Sequence, residues 1–353
     1  MNILHLEASP GWGGQEIRIL REAEGMRKRG HQVFLGVMQG GDLIPQARAA
    51  GFTVYELRFQ KKYWLFCLFQ LLWIMARHRI DLVNTHSSLD AWIGGIAARL
   101  SGRRIVRTRH LSTPIKPGLN RRLLYGALSD FVVTTCSSIL PMISVQKCRS
   151  IPTGVDPKRI VCLPGIPLRQ QLGLAETDFL VGTACFMRSW KGIGDLLQAA
   201  HSMRGHSSLK WVVIGGGHAE TYRAQALALN LEGIVFFTGH LDSPFATMAA
   251  LDVFALLSTA HEGVSQAILQ AAYLGKPLVA TATGGLGEVC IGGVTGIQVP
   301  PFAPERVAEA VLALRQDPEL RRRMGEAARE RVEKHFTLEH TLDGMEQVYK
   351  EIL

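Results

Sequence analysis

The stretch STAHEGVSQAILQAAYLGKPLVATATGGLGE, residues 258–288, has the clearest structural pattern in this chain of 353 residues. An apolar run from Val253 to Leu257 stands before it, and a second run from Pro277 to Thr281 lies within it. Between these runs, apolar residues at helical spacing predict a helix from about Ser265 to Leu274. A strand, a helix and another strand in succession are typical of a parallel sheet.

The start of that helix predicts a binding site for an anion. Amides in the first turn of a helix lack partners within the helix and favour negative charge, so the amides of residues 264–266 are available to a ligand. Glu262 and Gly263 come directly before them, and Gln270, eight positions after Glu262, projects from the same helix.

The alternation of strands and helices extends through both halves of the chain. Strands are predicted at Asn2–Leu6, Val33–Val37, Leu82–Asn84, Ile105–Thr108, Phe131–Thr134, Leu180–Ala184, Leu209–Ile214 and Ile234–Phe237, with helices at Glu16–Arg29 and Asp90–Leu100 among them. The fold class is therefore α/β, with two Rossmann-like parallel-sheet domains. The length agrees, because 353 residues exceed one ordinary core.

The two halves meet in IPTGVDPKRIVCLPGIP, residues 151–167, whose prolines and glycines interrupt regular elements. We place the domain boundary at its end, with domains at 1–167 and 168–335. The tail from Glu305 to Leu353 is predicted to be helical, with breaks near Pro318 and Phe336. We expect its last helix, about 336–353, to pack back on the first domain.

Charge is distributed unevenly between the halves. Residues 1–170 carry 24 Lys and Arg against 10 Asp and Glu, and the remainder carries 15 against 20. This asymmetry predicts that the first half meets an anionic surface or ligand; a merely soluble basic surface is the alternative. Nucleic acid is not the expected partner, because no motif of aromatic and basic residues stands at a recognisable spacing.

Six cysteines are scattered without a CxxC pair or a zinc-binding spacing, which argues against disulfides and a structural metal and favours a reducing cytoplasm. The opening MNILHLEAS reads as a buried strand and lacks the features of a secretory signal.

The segment KKYWLFCLFQLLWIMARHR, Lys61 to Arg79, holds an aromatic-rich apolar stretch flanked by cations. It is too short to span a membrane. We interpret it as a helix in the interface of an anionic membrane, with Trp64 and Phe66 among its lipid-facing residues. An ordinary buried helix is the alternative.

Two shorter motifs predict phosphate contacts. The turn GWGGQE places Gly13 and Gly14 before a helix, where glycines let the backbone approach a ligand. In CFMRSWKG, Arg188 and Lys191 follow the strand Leu180–Ala184, and two cations at a strand end can clamp a diphosphate. A tight turn and solvated surface cations are the respective alternatives.

Taken together, these motifs resemble the retaining glycosyltransferases of family 4, which have the GT-B fold of two Rossmann-like domains facing a cleft and an E-x7-E motif. The likeness covers almost the whole chain. Its motifs are GGQE at 13–16, RTRH at 107–110, PTGVD at 152–156, RSWKG at 188–192, IGGG at 214–217, and the stretch from Glu262 to Glu288.

The resemblance implies that the second domain binds a nucleotide-sugar donor and the first an acceptor. Arg188 and Lys191 would hold the donor diphosphate, with amides of Gly13 or Gly14 closing over it. By the same resemblance, Glu262 would contact hydroxyls of the sugar, and Gln270 would contact the nucleotide. His240 would lie beside the base. The phosphate and the sugar would be held by the backbone of Gly263, Val264, Ser265 and Gln266. His110 would lie near the reacting centre, whereas His86 is structural or on the acceptor side.

No cofactor or metal is expected, because the cations replace a divalent ion and no DxD motif stands in a suitable loop. A glycan or lipid-linked acceptor, in lipopolysaccharide or other cell-surface polysaccharide synthesis, fits a cytoplasmic protein attached to the inner face of the membrane.

Two departures from the family are Gln270 for the second glutamate and Thr153 for the usual asparagine. They leave open a catalytically silent protein that binds a glycan or a partner; an epimerase lacks evident acid and base carboxylates.

Overall fold

The computed structural model of the protein describes residues 1–143, 145, 147–162 and 167–353. The chain divides into two compact units, called unit 1 and unit 2 below. Unit 1 comprises Met1–Gly154 together with Leu338–Leu353, and unit 2 comprises Val155–Thr337.

This division differs from the boundary predicted at residue 167. Val155 pairs with Thr337 in a parallel bridge, and its N–H donates to the carbonyl oxygen of Phe336. Unit 2 therefore begins within the segment interpreted as a linker, and not after it. Residues 163–166 of that segment lie outside the described residues.

The strands of unit 1 are β1 (Asn2–Glu7), β2 (Gln32–Met38), β3 (Thr53–Leu57), β4 (Leu82–Thr85), β5 (Arg104–Arg109), β6 (Phe131–Thr134) and β7 (Cys148–Ser150). Within the described ranges they form one sheet in the order β3-β2-β1-β4-β5-β6-β7. Its pairs are parallel. The chain winds outward from β1 to β3 and then returns to start β4 on the other side of β1. A crevice therefore opens at the carboxyl ends of β1 and β4, the switch point of this topology.

Unit 2 contains a second sheet, whose strands are β8 (Phe179–Ala184), β9 (Leu209–Ile214), β10 (Val235–Gly239), β11 (Val253–Leu256), β12 (Leu278–Thr281) and β13 (Gly296–Val299). For the residues described, the order is β10-β9-β8-β11-β12-β13, with parallel pairs. Here the switch point lies between β8 and β11.

The helices connect successive strands and cover both sheets. They are α1 (Gly14–Lys28), α2 (Leu43–Ala49), α3 (Trp64–Arg77), α4 (Ser88–Leu100), α5 (Leu119–Arg122), α6 (Leu168–Gln171), α7 (Ile193–Ser202), α8 (Ala219–Ala228), α9 (Phe245–Ala249), α10 (Gln266–Tyr273), α11 (Leu286–Val289), α12 (Pro304–Gln316), α13 (Pro318–His335) and α14 (Leu338–Ile352). Short 3-10 or π turns lie at Lys61–Tyr63, Leu123–Ala127, Ser137–Met142, Pro157–Arg159 and Ser189–Lys191.

The two predicted parallel-sheet domains are confirmed, with strand ends within a residue or two of the predictions. Strands β3, β7 and β13 were not predicted, and each lies at an edge of its sheet. Edge strands are covered less completely than central ones, so their sequences can lack the continuous apolar run that marks a buried parallel strand. The edge strand β10 keeps such a run and was predicted. The helix predicted from Glu16 begins at Gly14 instead, and the one predicted from Asp90 begins at Ser88.

Helix α14 belongs to unit 1 and packs on α1. The contact is close at Gly25, where an added Cβ would lie 2.3 Å from Leu342 Cδ1. Only glycine leaves room for the leucine at this point. The side chain of Tyr349 is fully buried in the same contact, and its hydroxyl donates to Glu22 Oε1 at 2.6 Å.

Helix α3, which forms most of the segment Lys61–Arg79, has two apolar faces. Leu71 and Met75 lie in the core of unit 1, whereas Phe69 and Trp73 are 66% and 58% exposed. The helix is therefore neither wholly buried nor detached from the core, because one face packs and the other meets solvent. In the described part of the chain, no helix is long and apolar enough to cross a membrane.

Candidate functional site

The switch point of unit 2 brings Lys191, after β8, into contact with Glu262, after β11. Lys191 Nζ donates a short hydrogen bond to Glu262 Oε1, forming an ion pair. Ser258 Oγ donates to the same carboxylate oxygen at 2.6 Å. Glu262 is almost fully buried, and a buried carboxylate needs such partners to offset its lost hydration.

Backbone contacts hold the turn that carries Lys191 against the end of β11. Gly192 has the left-handed backbone angle φ +69°, and an added Cβ would lie 2.1 Å from the carbonyl oxygen of Leu257. The Thr259 N–H donates to the Trp190 carbonyl oxygen at 2.8 Å. These contacts fix the separation of the two loops, and so allow Lys191 to reach Glu262.

Aromatic rings flank Arg188. Its guanidinium carbon lies 5.3 Å from the ring centroid of Phe186 and 5.2 Å from that of Trp190. Tyr222 donates its hydroxyl proton to the Arg188 carbonyl oxygen at 3.2 Å. Cation–π contacts of this kind restrict the side chain without neutralising its charge, so the guanidinium is available to an anion.

Helix α10 begins beside the ion pair of Lys191 and Glu262. Gln266 is its first residue and Ser265 its N-cap, one residue from the predicted start. Gly263 and Val264 form the approach to the helix, and Gly285 packs against them so closely that an added Cβ would lie 2.7 Å from the backbone nitrogen of Val264. The predicted amide site is therefore adjacent to Glu262 in the structure.

The remaining predicted residues of unit 2 are Gln270 on α10 and His240 after β10. Gln270 is half-buried on α10, one turn after Gln266. His240 follows β10, and its side chain is 74% exposed, with Nε2 3.6 Å from Asp242 Oδ1. The N–H of Gly215 donates to the carbonyl oxygen of Gly239 at 2.9 Å, so the loops after β9 and β10 are joined there.

In unit 1, Gly13 and Gly14 form the turn between β1 and α1. Gly13 is the N-cap and Gly14 the first helical residue. The Gly13 N–H donates to Glu16 Oε2 at 2.8 Å. In this structure the Gly13 amide thus has a partner within the turn, and the predicted phosphate contact would have to displace it.

His110 is the outer member of a buried row of three histidines. His86 Nδ1 lies 3.0 Å from His110 Nε2, and His86 Nε2 lies 3.0 Å from His5 Nδ1. Burial lowers the pKa of all three imidazoles. For His110 the cations Arg18 and Arg107 lower the pKa further. The rings are therefore neutral near pH 7.

A second polar cluster lies at the end of β1. The Glu7 carboxylate accepts hydrogen bonds from Ser87 Oγ, Gln15 Nε2 and the Ser9 N–H. Burial raises the Glu7 pKa to about 8, and the nearby Asp90 carboxylate adds to the shift. Glu7 thus holds a proton near neutral pH, unlike an ordinary glutamate.

Sequence reasoning missed His5 and Glu7 as members of a site. Both lie in NILHLE, which reads as a buried strand, and nothing in their spacing marks them. Their alternation with Leu4 and Leu6 does place them on one face of β1. In the described residues, no group of three or more His, Cys, Asp or Glu side chains could hold a metal ion.

Two family models match this chain. The model described as glycosyl transferases group 1 matches residues 167–331. The model described as Glycosyltransferase Family 4 matches residues 12–159. Each model covers most of one of the two units.

Curated relatives agree with these matches. The chain is 27% identical over 295 residues to N-acetyl-alpha-D-glucosaminyl L-malate synthase of Bacillus anthracis, a match covering 79% of this chain and 77% of that protein. It is 31% identical over 295 residues to glycogen synthase of Mycobacterium tuberculosis, covering 77% and 69% respectively.

The crystal structure of Anabaena HepE in complex with UDP has the same fold. It superposes with a TM-score of 0.87 at 22% identity, and the match covers 99% of this chain and 100% of that one. The predicted GT-B fold class is confirmed by this likeness together with the two parallel sheets.

The Glu7 environment predicts an unusual dependence of stability on pH. The carboxyl keeps its proton up to about pH 8 when folded but loses it near 4.5 when unfolded. The folded state then binds more protons, so this group lowers the free energy of unfolding as pH rises from about 5 to 8. Glu7→Gln removes the titration and keeps a neutral hydrogen-bonding side chain.

Urea unfolding of both proteins at several pH values tests this. We expect the variant to gain stability relative to the wild type as pH rises. Glu232→Gln, at an exposed glutamate, is the matched control for the loss of a surface carboxylate. Parallel curves for wild type and Glu7→Gln would show that Glu7 is ionised in the folded protein.

Proposed function

This chain belongs to the family 4 glycosyltransferases of the GT-B fold, and on that premise we propose that it transfers a sugar to a glycan or lipid-linked acceptor with retention at the anomeric carbon. The donor is a nucleotide-diphosphate sugar. The pathway is lipopolysaccharide or other cell-surface polysaccharide synthesis. The observation that carries the proposal is the Lys191–Glu262 pair beside Arg188, at the switch point of unit 2 and next to the start of α10.

The cations act on the leaving group. As the bond between the anomeric carbon and the diphosphate oxygen lengthens, negative charge grows on the diphosphate. Arg188, Lys191 and the amides at the start of α10 stabilise that charge more than the ground state, which lowers the barrier. An ammonium has three donors, so Lys191 can keep Glu262 and also bind a phosphate oxygen.

Glu262 is assigned to hydroxyls of the transferred sugar, and Gly263, Val264, Ser265 and Gln266 to seating the phosphate and sugar. The acceptor oxygen attacks the anomeric carbon on the face that the diphosphate leaves. The acceptor proton passes to a departing phosphate oxygen, so no protein nucleophile is required. We also propose that no metal is needed, and that turnover is unchanged by a chelator.

A panel of nucleotide sugars tests the function directly. A donor present at 100 times its dissociation constant adds about 2.7 kcal/mol of stability, which a thermal shift detects. The matching donor, UDP-sugars being tried first, is then incubated alone and with glycan or lipid-linked acceptors, and the anomeric configuration of the product is read by NMR. Release of free nucleotide supports an enzyme, whereas glycan binding without any turnover supports the catalytically silent alternative.

The diphosphate clamp gives a first kinetic prediction. Arg188→Ala and Lys191→Ala should each lower turnover about a hundredfold, because each removes a partner of the transition-state charge. The matched control is Arg204→Ala, an exposed arginine between α7 and β9, away from the carboxyl ends of the strands.

Lys191→Ala also leaves Glu262 with one fewer partner, so its melting temperature must be compared with that of the wild type. A folded variant with near-normal turnover at either position would exclude that residue from the clamp.

Gln270 is assigned to the nucleotide ribose, where the family has a glutamate. A glutamine keeps one acceptor oxygen, so Gln270→Glu should preserve or improve affinity for the nucleoside diphosphate. Gln270→Ala should weaken it by about 1 kcal/mol, the contribution of one hydrogen bond. Calorimetry of the three proteins, with the exposed Gln316→Ala as control, measures this, and equal affinities would show that the side chain does not reach the nucleotide.

The exposed face of α3 is proposed to lie on an anionic membrane and so to bring the protein to a lipid-linked acceptor. Trp64, Phe66, Phe69 and Trp73 are each at least 43% exposed. A patch of exposed aromatic side chains is unusual on a soluble protein and marks an interaction surface. Lys61, Lys62, Arg77 and Arg79 flank it, and each cation near an anionic leaflet contributes about 1 kcal/mol.

Vesicle sedimentation tests this attachment. Binding should require anionic lipid, fall as salt rises, and drop sharply in the variant Phe66→Ser/Phe69→Ser/Trp73→Ser. These side chains point away from the core, so the variant should remain folded, and Leu100→Ser, at another exposed apolar residue of unit 1, is the control. Equal binding to neutral vesicles would contradict the electrostatic part, and absence of binding to either would contradict the attachment.

A further inference from the structure

The row of His5, His86 and His110 lies on one face of the sheet in unit 1. His5 is on β1, and His86 and His110 directly follow β4 and β5. In the order of the sheet, β1, β4 and β5 are successive neighbours. The three rings therefore form a row that runs from the middle of β1 to the carboxyl edge of the sheet, and each is at most 8% exposed.

Two proton arrangements satisfy both hydrogen bonds of this row. A neutral imidazole has one N–H and one lone pair, so each ring must donate with one nitrogen and accept with the other. In the outward arrangement, His5 and His86 carry their protons on Nδ1, and His110 presents an N–H at Nδ1. In the inward arrangement all three protons are on Nε2, and His110 presents a lone pair at Nδ1.

Charges at the two ends of the row select the inward arrangement. At the inner end, His5 pairs in register with Asn84, whose Nδ2 lies 3.4 Å from Glu22 Oε1. Glu22 is fully buried on α1. The charge of Glu22 acts on the His5 ring and partly opposes the effect of burial on its pKa. His5 Nε2 is buried and has no hydrogen-bond partner among the described residues. At this atom the nearby negative charge favours an N–H over a lone pair, because the interaction is strong at low dielectric.

The outer end is surrounded by cations. Arg109 directly precedes His110, and Arg107 Nη1 donates to the Ser87 carbonyl oxygen at 2.9 Å, next to His86. Arg18 on α1 acts on both outer rings. A lone pair at His110 Nδ1 is stabilised by these cations, whereas an N–H there is repelled. Four other polar groups surround Glu22 at the inner end. Arg18 Nε lies 3.8 Å from Glu22 Oε2, so the same arginine acts on the outer rings and pairs with this carboxylate. Tyr349 on α14 and Asn84 hydrogen-bond to Glu22 and to each other, and Thr108 on β5 donates to Asn84.

We propose that His5 and His86 are positioning residues, which hold His110 neutral with its proton on Nε2 and its Nδ1 lone pair directed to a hydroxyl of the substrate. The assignment of the hydroxyl rests on the proposed function. The state of the ring does not, because it follows from the row itself. The consequence for specificity is that this position accepts a hydrogen bond, and so favours a sugar with a hydroxyl there over its deoxy analogue.

Histidine side-chain ¹⁵N NMR of the ligand-free protein reads the arrangement. At neutral pH we expect His110 to show a protonated Nε2 and an unprotonated Nδ1, with the same pattern in His5 and His86. A proton on His110 Nδ1, or a charged ring in the row, would overturn the proposal. This measurement needs no substrate, so it stands apart from any failure to find a transfer reaction.

A substitution at His5, two rings away from His110, tests whether the proton positions of the three rings are coupled. His5→Phe keeps the size of the ring but removes the acceptor for the His86 Nε2 proton. His86 should then move its proton to Nδ1 and donate to His110, which turns His110 into the Nδ1–H form. His5→Asn, whose amide oxygen can accept from His86, should restore the wild-type pattern, and His31→Phe, a histidine outside the row, should leave it unchanged.

The same variants separate positioning from a general loss of structure. If a donor sugar has been found, His5→Phe should lower kcat/KM about tenfold, the cost of about one hydrogen bond, and His5→Asn should recover most of it. A His110 ring that keeps its Nε2 proton in a folded His5→Phe variant would overturn the coupling. Should His5→Phe fail to fold, the wild-type spectrum and His5→Asn still decide the arrangement.

Discussion

Both sheets are buried on two faces by helices, and this burial decides where polar chemistry can occur. Within a central parallel strand the backbone groups are used by the ladder and the side chains meet apolar cores. Polar side chains find hydrogen-bond partners mainly where strands end. At a switch point, two adjacent strands send their following loops in opposite directions, which leaves a crevice between them. Lys191 and Glu262 lie on either side of that crevice in unit 2, and Glu7 and His86 do so in unit 1.

The titratable groups at the two switch points differ in charge. Unit 2 holds a cation, Arg188, between aromatic rings, with its guanidinium available to an anion. In unit 1 burial keeps Glu7 and His110 neutral, since the raised pKa of Glu7 and the lowered pKa of His110 both follow mainly from lost hydration. Arginines near His110 add positive charge there without ionising the ring. The neutral side chains themselves suit hydroxyl groups, which exchange neutral hydrogen bonds.

Helix α3 shows how one sequence pattern can serve two purposes. Its residues are apolar almost all round, which is consistent with either a core helix or an interfacial one. In the structure Leu71 and Met75 lie in the core, whereas Phe69 and Trp73 are exposed to solvent. Packing on one side thus orients the aromatic face on the other, and a membrane contact through this face would require no change in the fold.

The sequence by itself determined the succession of strands and helices, because central parallel strands need continuous apolar runs and the helices between them need apolar residues at helical spacing. It also determined the breaks near Pro318 and Phe336 and the family motifs, since these are local in the chain. Motifs alone predicted a site at Arg188, Lys191 and Glu262, and the structure brings Lys191 and Glu262 into contact. The edge strands β3, β7 and β13 were not predicted, because their partly covered sequences lack a continuous apolar run.

Only the tertiary structure decided which strands are neighbours, and hence which polar groups meet. His5 and His86 are 81 positions apart, and their contact depends on β4 returning beside β1. The neutral state of the row and the raised pKa of Glu7 depend on burial by packing that joins distant parts of the chain. Contacts and dielectric environments of this kind are properties of packing, and no local pattern of residues encodes them.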